Sequence, residues 1–478
     1  MIFENKRRQA VINISKNILA IIFVLSVVFV AVFLTQGWTI TPKGNPHQTG
    51  LVQFISTPNN ANVKINGTQI NDTTNTKRQL DPNVYNFEIS KKDYTTWRRT
   101  AQVDAGKILW LNYARLLPEK LTSKKFFNFE KIQDIIFSAD KKWSIIVAQN
   151  GGSFKIYKIN LEEENQQLTE IILPDSIFNI EDNPEIETQK QQVISTISFK
   201  KISENGSRIL AQWKKGKETQ NLIIDTQNPE KSTNLTEIFH LNFENITPAN
   251  RDFTRLYSTI SGDLREINLD NSTVSANITT GVLDLKIHNN DSILVSRKIK
   301  DGDFTVEVLD KNGKKTTIKK SITHTPKIEM GRYYNENYVH ILTDNILTIY
   351  KGSDWRGAYS PKIYKTFTLK FTPSNIELNQ ENRMILLSSP EKNQIIDLET
   401  IKSYNLTSSK KYWVDNFILY SIENGKIIWE DFDGSNKRVV VESENFKSSI
   451  SANDKFLFSV AKNSNGTFSL NKSRIILD

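Results

Sequence analysis

The pattern of apolar and polar positions divides the chain into two parts with different periodicities. From Asn17 to Trp38 the sequence carries no charge, and between Ile18 and Leu34 only Ser26 interrupts an apolar run. A helix needs about 20 mostly apolar residues to cross about 30 Å of hydrocarbon. The run therefore predicts a transmembrane helix over 17–38. Its expected anchor positions are Ile18, Phe23, Phe29, Leu34 and Trp38.

Two alternatives to a membrane span exist for this run. A cleaved signal peptide has an apolar core of about 7–15 residues and a small-x-small cleavage site. Phe33 and Leu34 are bulky and no such site follows, which favours an uncleaved signal anchor. The other alternative, a buried helix of a soluble core, fits poorly with the basic cluster that precedes the run.

Charge predicts the orientation of the span. Basic residues flanking a span favour the cytoplasmic side. Lys6, Arg7, Arg8 and Lys16 precede the run, whereas the first basic residue after it is Lys43. We therefore expect a cytoplasmic tail over 1–16 that is too short to fold into a signalling or catalytic domain. A polar, proline-containing linker over 39–49 would follow outside the membrane, with Trp38 at the outer interface.

From residue 50 the pattern changes to the alternation with period two that is typical of half-buried strands. Runs at 51–56, 62–65, 85–89, 100–103 and 108–116 read as strands. Asn66-Gly67 predicts a tight hairpin, because both residue types tolerate positive φ. Together these runs predict a small antiparallel β-sandwich over 50–118.

The same stretch resembles the PEGA domain, a small surface-associated β module of bacteria and archaea. The residues that carry the resemblance are Ile55-Ser56-Thr57-Pro58, Ala61, Val63 to Gly67, Leu80 to Tyr85, Asp93-Tyr94, Trp97, Val103, Gly106 and Leu116-Leu117-Pro118. The family usually has glycine where Asn83 and Asp93 stand, and both substitutes can enter the left-handed region. The resemblance implies a non-catalytic domain of the cell envelope that acts in adhesion or as a spacer.

From residue 119 to 478 a second unit recurs, in which a polar turn leads into a β-rich run. The openings are Phe137 to Val147, Ile202 to Leu210, Asn289 to Val295, Leu378 to Leu386 and Ser451 to Phe458, and later hairpins close at Leu309 to Lys314 and Glu430 to Ser435. These segments resemble the repeats of TolB-like and WD-repeat propellers, although Ala139 and Lys141 replace proline and glycine. Their spacing of about 30 to 60 residues predicts a β-propeller of seven or eight blades. A pair of stacked β-sandwiches is the alternative, and the acidic stretch from Glu162 to Gln192 is expected to be an insertion or long loop.

Composition narrows the possible functions. The chain has no cysteine, which excludes a disulfide framework and thiolate metal sites. Its formal charge of +9 and pI of about 9.2 would favour anionic surfaces such as lipid headgroups or acidic glycans. We expect no nucleic acid partner, because most of the chain is expected outside the membrane.

No sequence motif establishes a reaction. The G-x-S-x-G, G-x-x-x-x-G-K and H-E-x-x-H patterns are absent, and we expect no catalytic residue, cofactor or metal. The histidines share no ligand spacing, and a meeting of His324 and His340 on neighbouring strands is the less favoured interpretation. Asp431 to Asn436 resembles part of a calcium loop, but Val439 to Val441 before Glu442 reads as a strand, which favours a β-turn. A carboxylate pair assembled from distant blades would be invisible in the sequence.

Aromatic residues in the second half offer a possible ligand rim, because sugar faces stack on rings. The candidates are Trp355, Tyr359, Tyr364, Tyr412 and Trp413. Packing within the blades is the alternative for most of them.

Three functional hypotheses follow. The first is a non-enzymatic, single-pass bacterial cell-envelope protein whose propeller binds an extracytoplasmic protein or a polysaccharide. The second is a membrane-tethered glycan or peptide hydrolase with its catalytic site at the propeller mouth, and the third is a TolB-like envelope assembly scaffold. Converging, desolvated carboxylates in the central funnel would count against the first hypothesis, and an unpaired, exposed or closed mouth would weaken the second.

Overall fold

A computed structural model describes residues 2–35, 37–40, 46–162, 167–178, 193–215, 218–288, 292–310, 313–352, 361–444 and 446–477. The chain forms two compact units, Met1–Lys120 and Leu121–Asp478. Asn289 to Asp291 of one predicted repeat, most of Glu162 to Gln192, and both Trp355 and Tyr359 lie outside the described residues.

The first unit begins with one long helix, α1, over Ile2–Thr35. Its stretch Ser15–Phe33 is long and apolar enough to cross a membrane, and none of it is buried against protein. The hydroxyl of Ser26 donates to the carbonyl of Ile22 at 2.8 Å, so the one polar side chain of the apolar run is satisfied within the helix. The segment that the sequence describes as too short for a domain continues this helix toward the N-terminus, because helix extension adds one hydrogen bond per residue once the apolar run is helical.

A short hairpin follows the helix where the sequence predicts a linker. It consists of β1 (Trp38–Ile40) and β2 (Pro46–Gln48), paired antiparallel. Gly37 adopts a φ of +78°, which lets the backbone leave the helix and turn into the hairpin. Trp38 thus lies in a strand, and its ring stacks on that of Phe33 at 5.6 Å.

Seven further strands of this unit form a two-layer β-sandwich. They are β3 (Gly50–Thr57), β4 (Asn62–Ile65), β5 (Thr68–Thr73), β6 (Thr76–Leu80), β7 (Asn83–Ser90), β8 (Trp97–Val103) and β9 (Ile108–Arg115). One sheet has the order β6-β3-β9 and the other the order β5-β4-β7-β8. Val52, Phe54, Phe87 and Trp97 are buried between the layers, as the alternation of the strands requires.

The sandwich departs from the sequence prediction in three ways. Strands β3 and β9 pair parallel. They are the first and last strands of the sandwich, and the long connection between them lets β9 run in the same direction as β3. Strands β5 and β6 are absent from the prediction, since their polar residues lie mostly exposed and give no apolar alternation. Asn83 has no positive φ and begins β7, whereas Asp93 has a φ of +66° as expected.

The second unit contains eight four-stranded sheets within its described residues. The first strand of the unit in chain order, β10 (Ser123–Phe129), belongs to the last sheet, sheet 8. Sheet 1 comprises β11 (Lys131–Phe137), β12 (Trp143–Asn150), β13 (Ser153–Asn160) and β14 (Leu168–Ile171), and sheet 2 comprises β15 (Ser198–Ile202), β16 (Arg208–Lys215), β17 (Glu218–Asp225) and β18 (Thr233–Asn234). Sheet 3 comprises β19 (Glu244–Pro248), β20 (Arg255–Ile260), β21 (Asp263–Asn268) and β22 (Thr273–Val274).

The remaining sheets follow in chain order. Sheet 4 comprises β23 (Val282–His288), β24 (Ser292–Lys300), β25 (Asp303–Asp310) and β26 (Lys315–Ile322), and sheet 5 comprises β27 (Lys327–Tyr333), β28 (Glu336–Thr343), β29 (Ile346–Gly352) and β30 (Lys362–Thr368). Sheet 6 comprises β31 (Asn375–Leu378), β32 (Met384–Ser388), β33 (Asn393–Asp397) and β34 (Lys402–Leu406), and sheet 7 comprises β35 (Tyr412–Trp413), β36 (Ile418–Glu423), β37 (Lys426–Asp431) and β38 (Arg438–Glu442). Sheet 8 adds β39 (Ser449–Ile450), β40 (Phe456–Lys462) and β41 (Phe468–Arg474) to β10. Short helices cover Asp175–Phe178, Pro229–Lys231 and α2 (Leu235–Phe239).

Each sheet is an antiparallel meander, and sheet 8 joins the two ends of the unit. Ser123 of β10 pairs with Ser473 of β41, and their hydroxyls lie 3.0 Å apart. The apolar cores lie between successive sheets. Ile145 and Val147 of sheet 1, for example, share one core with Ile209 of sheet 2.

The predicted polar turns join the first strand of a sheet to its second. In sheet 1 the amide of Trp143 donates to the hydroxyl of Ser138 at 2.9 Å, and Lys141 adopts a φ of +61°. Ser203 receives the amide of Arg208 at 2.9 Å in the corresponding turn of sheet 2. Sheets 3, 6 and 8 repeat this turn with positive φ at Phe253, Asn382 and Asp454.

Candidate ligand-binding cavity

One edge strand of each of the eight sheets lines a single cavity of about 1120 Å³ in the second unit. We call it the first strand of the sheet; it is the first in chain order in sheets 1 to 7, and β39 in sheet 8. The contributing strands are β11, β15, β19, β23, β27, β31, β35 and β39. Turns that follow first strands also reach it, including Ser138 to Lys141 and Asn250 to Phe253. Since these strands are far apart in sequence, only the arrangement of the sheets brings their side chains together.

Bulges in several first strands alter which side chains face the cavity. The strand register shifts between Phe199 and Lys201 in β15, and between Val282 and Asp284 in β23. A bulge inserts one residue and redirects the side chains beside it. Lys201 and Asp284, which follow these bulges, both line the cavity.

Charged side chains of both signs occupy the cavity wall. They include Lys201 on β15, Asp284 and Lys286 on β23, Glu329 on β27, Glu377 on β31, and Lys447 just before β39. The Nζ atom of Lys286 lies 2.8 Å from Oε1 of Glu329, so these two residues form an ion pair across neighbouring sheets. The cavity can therefore interact with cationic, anionic and dipolar groups of a ligand.

The pKa values of the three carboxyls are raised above the ordinary range. Burial by the surrounding wall is the largest cause for Asp284, Glu329 and Glu377, because protein replaces bulk water there. The negative charge of Glu329 raises the pKa of Glu377 further. The positive charge of Lys286 lowers the pKa of both Asp284 and Glu329, which offsets part of the effect of burial.

The pKa of Lys286 itself is also raised. Burial lowers it, but the charges of Glu329 and Asp284 outweigh burial and favour the ammonium form. The ion pair with Glu329 is therefore expected to persist at neutral pH. Glu377 has no such cation at salt-bridge distance among the ion pairs of the described residues.

An aromatic wall from sheet 7 completes the cavity. Tyr412 and Trp413 form β35, and the ring of Tyr412 stacks on that of Tyr420 at 5.0 Å. Trp429 is almost fully buried and also lines the cavity. The indole N–H groups of Trp413 and Trp429 find no hydrogen-bond partner among the described residues. Both N–H groups are buried, so a ligand could contact this wall only through the ring surfaces, of which Tyr412 and Trp413 are the more exposed.

The structure divides the predicted aromatic rim. Tyr412 and Trp413 lie on the cavity, whereas Tyr364 lies on β30, the last strand of sheet 5, away from it. There the ring of Tyr364 packs edge-on against Tyr338 at 5.6 Å. Trp355 and Tyr359, the other two candidates, fall outside the described residues.

Other predicted sites take structural roles. The turn after β37 follows the β-turn interpretation, since Asn436 donates to Oδ2 of Asp431 at 2.8 Å and β38 begins at Arg438. His340 is fully buried in β28, and His324 is exposed beside Asp344 at 3.2 Å. Among the described residues, no group of three or more potential ligands could hold a metal ion.

Sequence reasoning missed the charged wall. Asp284, Glu329 and Glu377 are each the third residue of the first strand of a sheet, as in Val282–His288. A charge at that position in successive repeats is the signal that could have identified the wall, once the first strand of each repeat was aligned.

Comparison with known proteins places residues 49–116 in the PEGA domain family. No curated protein matches the chain in sequence. The Porphyromonas gingivalis dipeptidyl peptidase 4 is 13% identical, with 75% of this chain and 62% of that chain covered and a TM-score of 0.46. An oligogalacturonate lyase from Vibrio parahaemolyticus is 10% identical, with 74% and 97% covered and a TM-score of 0.38. Kluyveromyces lactis Hsv2 is 13% identical, with 73% and 100% covered and a TM-score of 0.39.

The chain is therefore a mostly β protein with one apolar N-terminal helix and propeller-like structural neighbours. Its residues 49–116 are a PEGA domain, which confirms the resemblance noted in the sequence.

Proposed function

We propose that this protein is a single-pass cell-envelope protein that binds an extracytoplasmic polysaccharide or protein segment in the cavity of its second unit. The observation that carries the proposal is the cavity of about 1120 Å³, to which all eight sheets contribute their first strands. Its volume exceeds the usual range for a small-molecule pocket, which suits part of a polymer.

The eight sheets support an eight-bladed propeller as the framework of this site. Each meander has the four strands of a blade, and its first strand faces the common cavity. Pairing of β10 with β41 would close the ring by combining both ends of the unit in one blade. Closure leaves only short strand edges, which suits a large β protein without disulfides.

We expect α1 to anchor the chain with its N-terminus in the cytoplasm. The basic residues before the apolar stretch favour a cytoplasmic N-terminus, so both folded units would lie outside. Protease treatment of intact cells that carry an epitope tag at either end tests this. We expect loss of the C-terminal tag and protection of the N-terminal tag. The reverse result, or release of the whole chain without α1, would contradict the anchor.

Binding can be measured with the purified full-length protein in detergent. The probes are soluble neutral, acidic and amino oligosaccharides and a peptide panel. We expect saturable binding to one class, weakened about tenfold by Trp413→Ala because this ring lies on the cavity. Tyr364→Ala is the matched control, since Tyr364 lies away from the cavity. Equal affinities for the two variants would contradict binding at this site.

The charged wall favours a second candidate, a membrane-tethered hydrolase. Glycoside hydrolysis needs one protonated and one ionised carboxyl. Glu377, whose pKa is raised by burial and by Glu329, has the character of the acid. Glu329, paired with Lys286 at 2.8 Å, has the character of the ionised partner. The burial of these carboxyls in the wall of one cavity weighs against a purely non-enzymatic role.

Turnover assays separate the two candidates. Under the hydrolase hypothesis, wild-type protein releases product from the oligosaccharide or peptide that it binds, and Glu377→Gln abolishes release while binding persists. Binding without any product release by the wild type would support the binding proposal over the hydrolase.

The scaffold alternative has a separate test. A pull-down from membranes must recover a protein partner.

A further inference from the structure

We infer that the PEGA unit lies against the outer surface of the bilayer, with Val84, Ile108 and Trp110 in the headgroup region. This inference rests on the proposed role of α1 as a retained anchor. It goes beyond the proposed function because it assigns a lipid-binding surface to a folded domain for which the PEGA resemblance implies only adhesion or a spacer role.

Hydrogen bonds tie the end of α1 to one end of the sandwich. The amide and the hydroxyl of Thr49 both donate to the carbonyl of Gly37, at 2.8 Å and 2.9 Å. The amide of Gly106 donates in turn to the carbonyl of Thr49 at 3.0 Å. Thr49 therefore links Gly37, just after the helix, to the loop that leads into β9, through hydrogen bonds on each side.

The exposed apolar side chains of the sandwich lie at this same end. Within the described part of the first unit outside α1, the exposed large apolar residues are Val84, Ile108 and Trp110, at 54%, 48% and 42% exposure. Ile108 begins β9, two residues after Gly106, so its Cα lies at most about 7 Å beyond that glycine.

The strand register places the three residues around that end. Ile108 and Trp110 alternate with the buried Leu111 and so share the outer face of the three-stranded sheet. Val84 is the second residue of β7 and pairs with Gln102 near the end of β8. It lies on the outer face of the other sheet, so apolar groups flank the helix-proximal end on both sides.

The polar groups at this end are compatible with headgroups. Nε2 of His47 lies 2.7 Å from Oδ1 of Asp81, and Nζ of Lys107 lies 3.3 Å from Oδ2 of Asp104, so both carboxylates at this end have a hydrogen-bonding partner. Trp110 can keep its N–H hydrated while its ring enters the interface, as tryptophan does at membrane boundaries. The Phe33–Trp38 stack at 5.6 Å would form part of the same aromatic layer.

The opposite end of the sandwich has a different character. Asn59 in the turn after β3 and Lys92 after β7 are exposed and polar. No large apolar side chain is exposed at that end among the described residues. This asymmetry is what a domain with one membrane-facing end requires.

The absence of cysteine from the natural sequence allows a direct test by site-directed spin labelling. The full-length chain is reconstituted into vesicles of phosphatidylcholine and phosphatidylglycerol as single-cysteine variants. Trp110→Cys and Val84→Cys report on the proposed surface, and Lys92→Cys and Asn59→Cys are matched controls on the opposite end. Collision rates with oxygen, which concentrates in lipid, and with a water-soluble nickel chelate then give the depth of each label.

If the inference is correct, the labels at 84 and 110 collide preferentially with oxygen, whereas those at 59 and 92 collide with the nickel chelate. Equal exposure of all four labels to the chelate, in protein that floats with the vesicles, would overturn the docking while leaving the anchor intact. Failure of the protein to float would overturn the anchor itself and the docking with it. Far-UV circular dichroism confirms that each variant is folded.

Discussion

Single residues in this protein are held in conformations and protonation states that their own chemistry disfavours. Lys141 adopts a left-handed φ of +61° in the turn between β11 and β12. A side chain with a Cβ atom pays for this conformation, whereas glycine does not. The corresponding position in sheet 2 is Gly206, with a φ of +67°.

Replacement of this lysine therefore tests the turn. We expect Lys141→Gly to increase the free energy of unfolding by about 0.5–1 kcal/mol, since relief of strain exceeds the added entropy of the unfolded chain. Chemical denaturation measures the change. Lys142→Gly is the control and should destabilise, because Lys142 is not among the residues with positive φ. A loss of stability in Lys141→Gly would show that the turn does not need this geometry.

His340 gives a prediction on pH dependence. It is fully buried opposite Glu329 on β27 and Ile349 on β29, and burial lowers its pKa to about 4. The unfolded chain, with a histidine pKa of about 6.5, therefore binds more protons between these values. Stability should fall as the pH drops from about 6.5 to about 4, by up to about 3 kcal/mol.

Denaturation curves across that range, compared with His340→Gln, isolate the contribution of the imidazole. The variant removes this titration, although Glu329 continues to titrate in both proteins. The stability difference between wild type and variant should therefore change with pH only within this window. A difference that is independent of pH would contradict the lowered pKa.

At the scale of secondary structure elements, first strands are joined by specific side chains. Asp134 in β11 accepts hydrogen bonds from the amides of Ile135 at 2.8 Å and Phe199 at 2.7 Å. Phe199 belongs to β15, so this carboxylate connects the first strands of sheets 1 and 2. Strand alternation alone gives no reason for an acid at this position.

Removal of this link should loosen the two sheets. We expect Asp134→Ala to reduce the free energy of unfolding by about 1–3 kcal/mol, because two amide donors lose their partner. Asp134→Asn keeps an acceptor oxygen and should cost less. Equilibrium denaturation measures both. Equal stability of the alanine variant and the wild type would show that the hydrogen bonds contribute little.

Some strands of the sandwich can be predicted from the sequence and others cannot. The alternation in β3, β7 and β8 suffices to predict strands, and Asn66-Gly67 forms the predicted tight turn, with φ of +50° and +81°. The polar strands β5 and β6 carry no such signal, and they form because neighbouring strands offer unpaired backbone groups.

At the scale of the whole molecule, the pairing of β10 with β41 is the contact that joins the ends of the second unit. Ser123 and Ser473 are direct partners whose hydroxyls lie 3.0 Å apart. Because the chain has no cysteine, a disulfide between these positions would be the sole one.

We expect Ser123→Cys combined with Ser473→Cys to form a disulfide on air oxidation. The crosslink closes a loop of more than 300 residues and should raise stability by at most about 6 kcal/mol, the limit that loop entropy sets. A mobility shift on non-reducing gels and the melting temperature with and without reductant measure this. The single variants are controls, and absence of the intramolecular bond would contradict closure.

The sequence by itself determined the features that depend on neighbouring residues. These include the apolar helix, the strands with clear alternation, the PEGA domain and the polar turns that repeat along the second half. Hydrophobic periodicity and turn chemistry are local, so one sequence can contain them in full.

Only the tertiary structure decided which distant side chains share a site. Tyr412, Glu329 and Lys286 meet around one cavity, whereas Tyr364, which composition alone groups with Tyr412, lies elsewhere. The reason is geometric: side chains on the first strands converge only when successive sheets are set side by side. No spacing within a single repeat encodes that convergence.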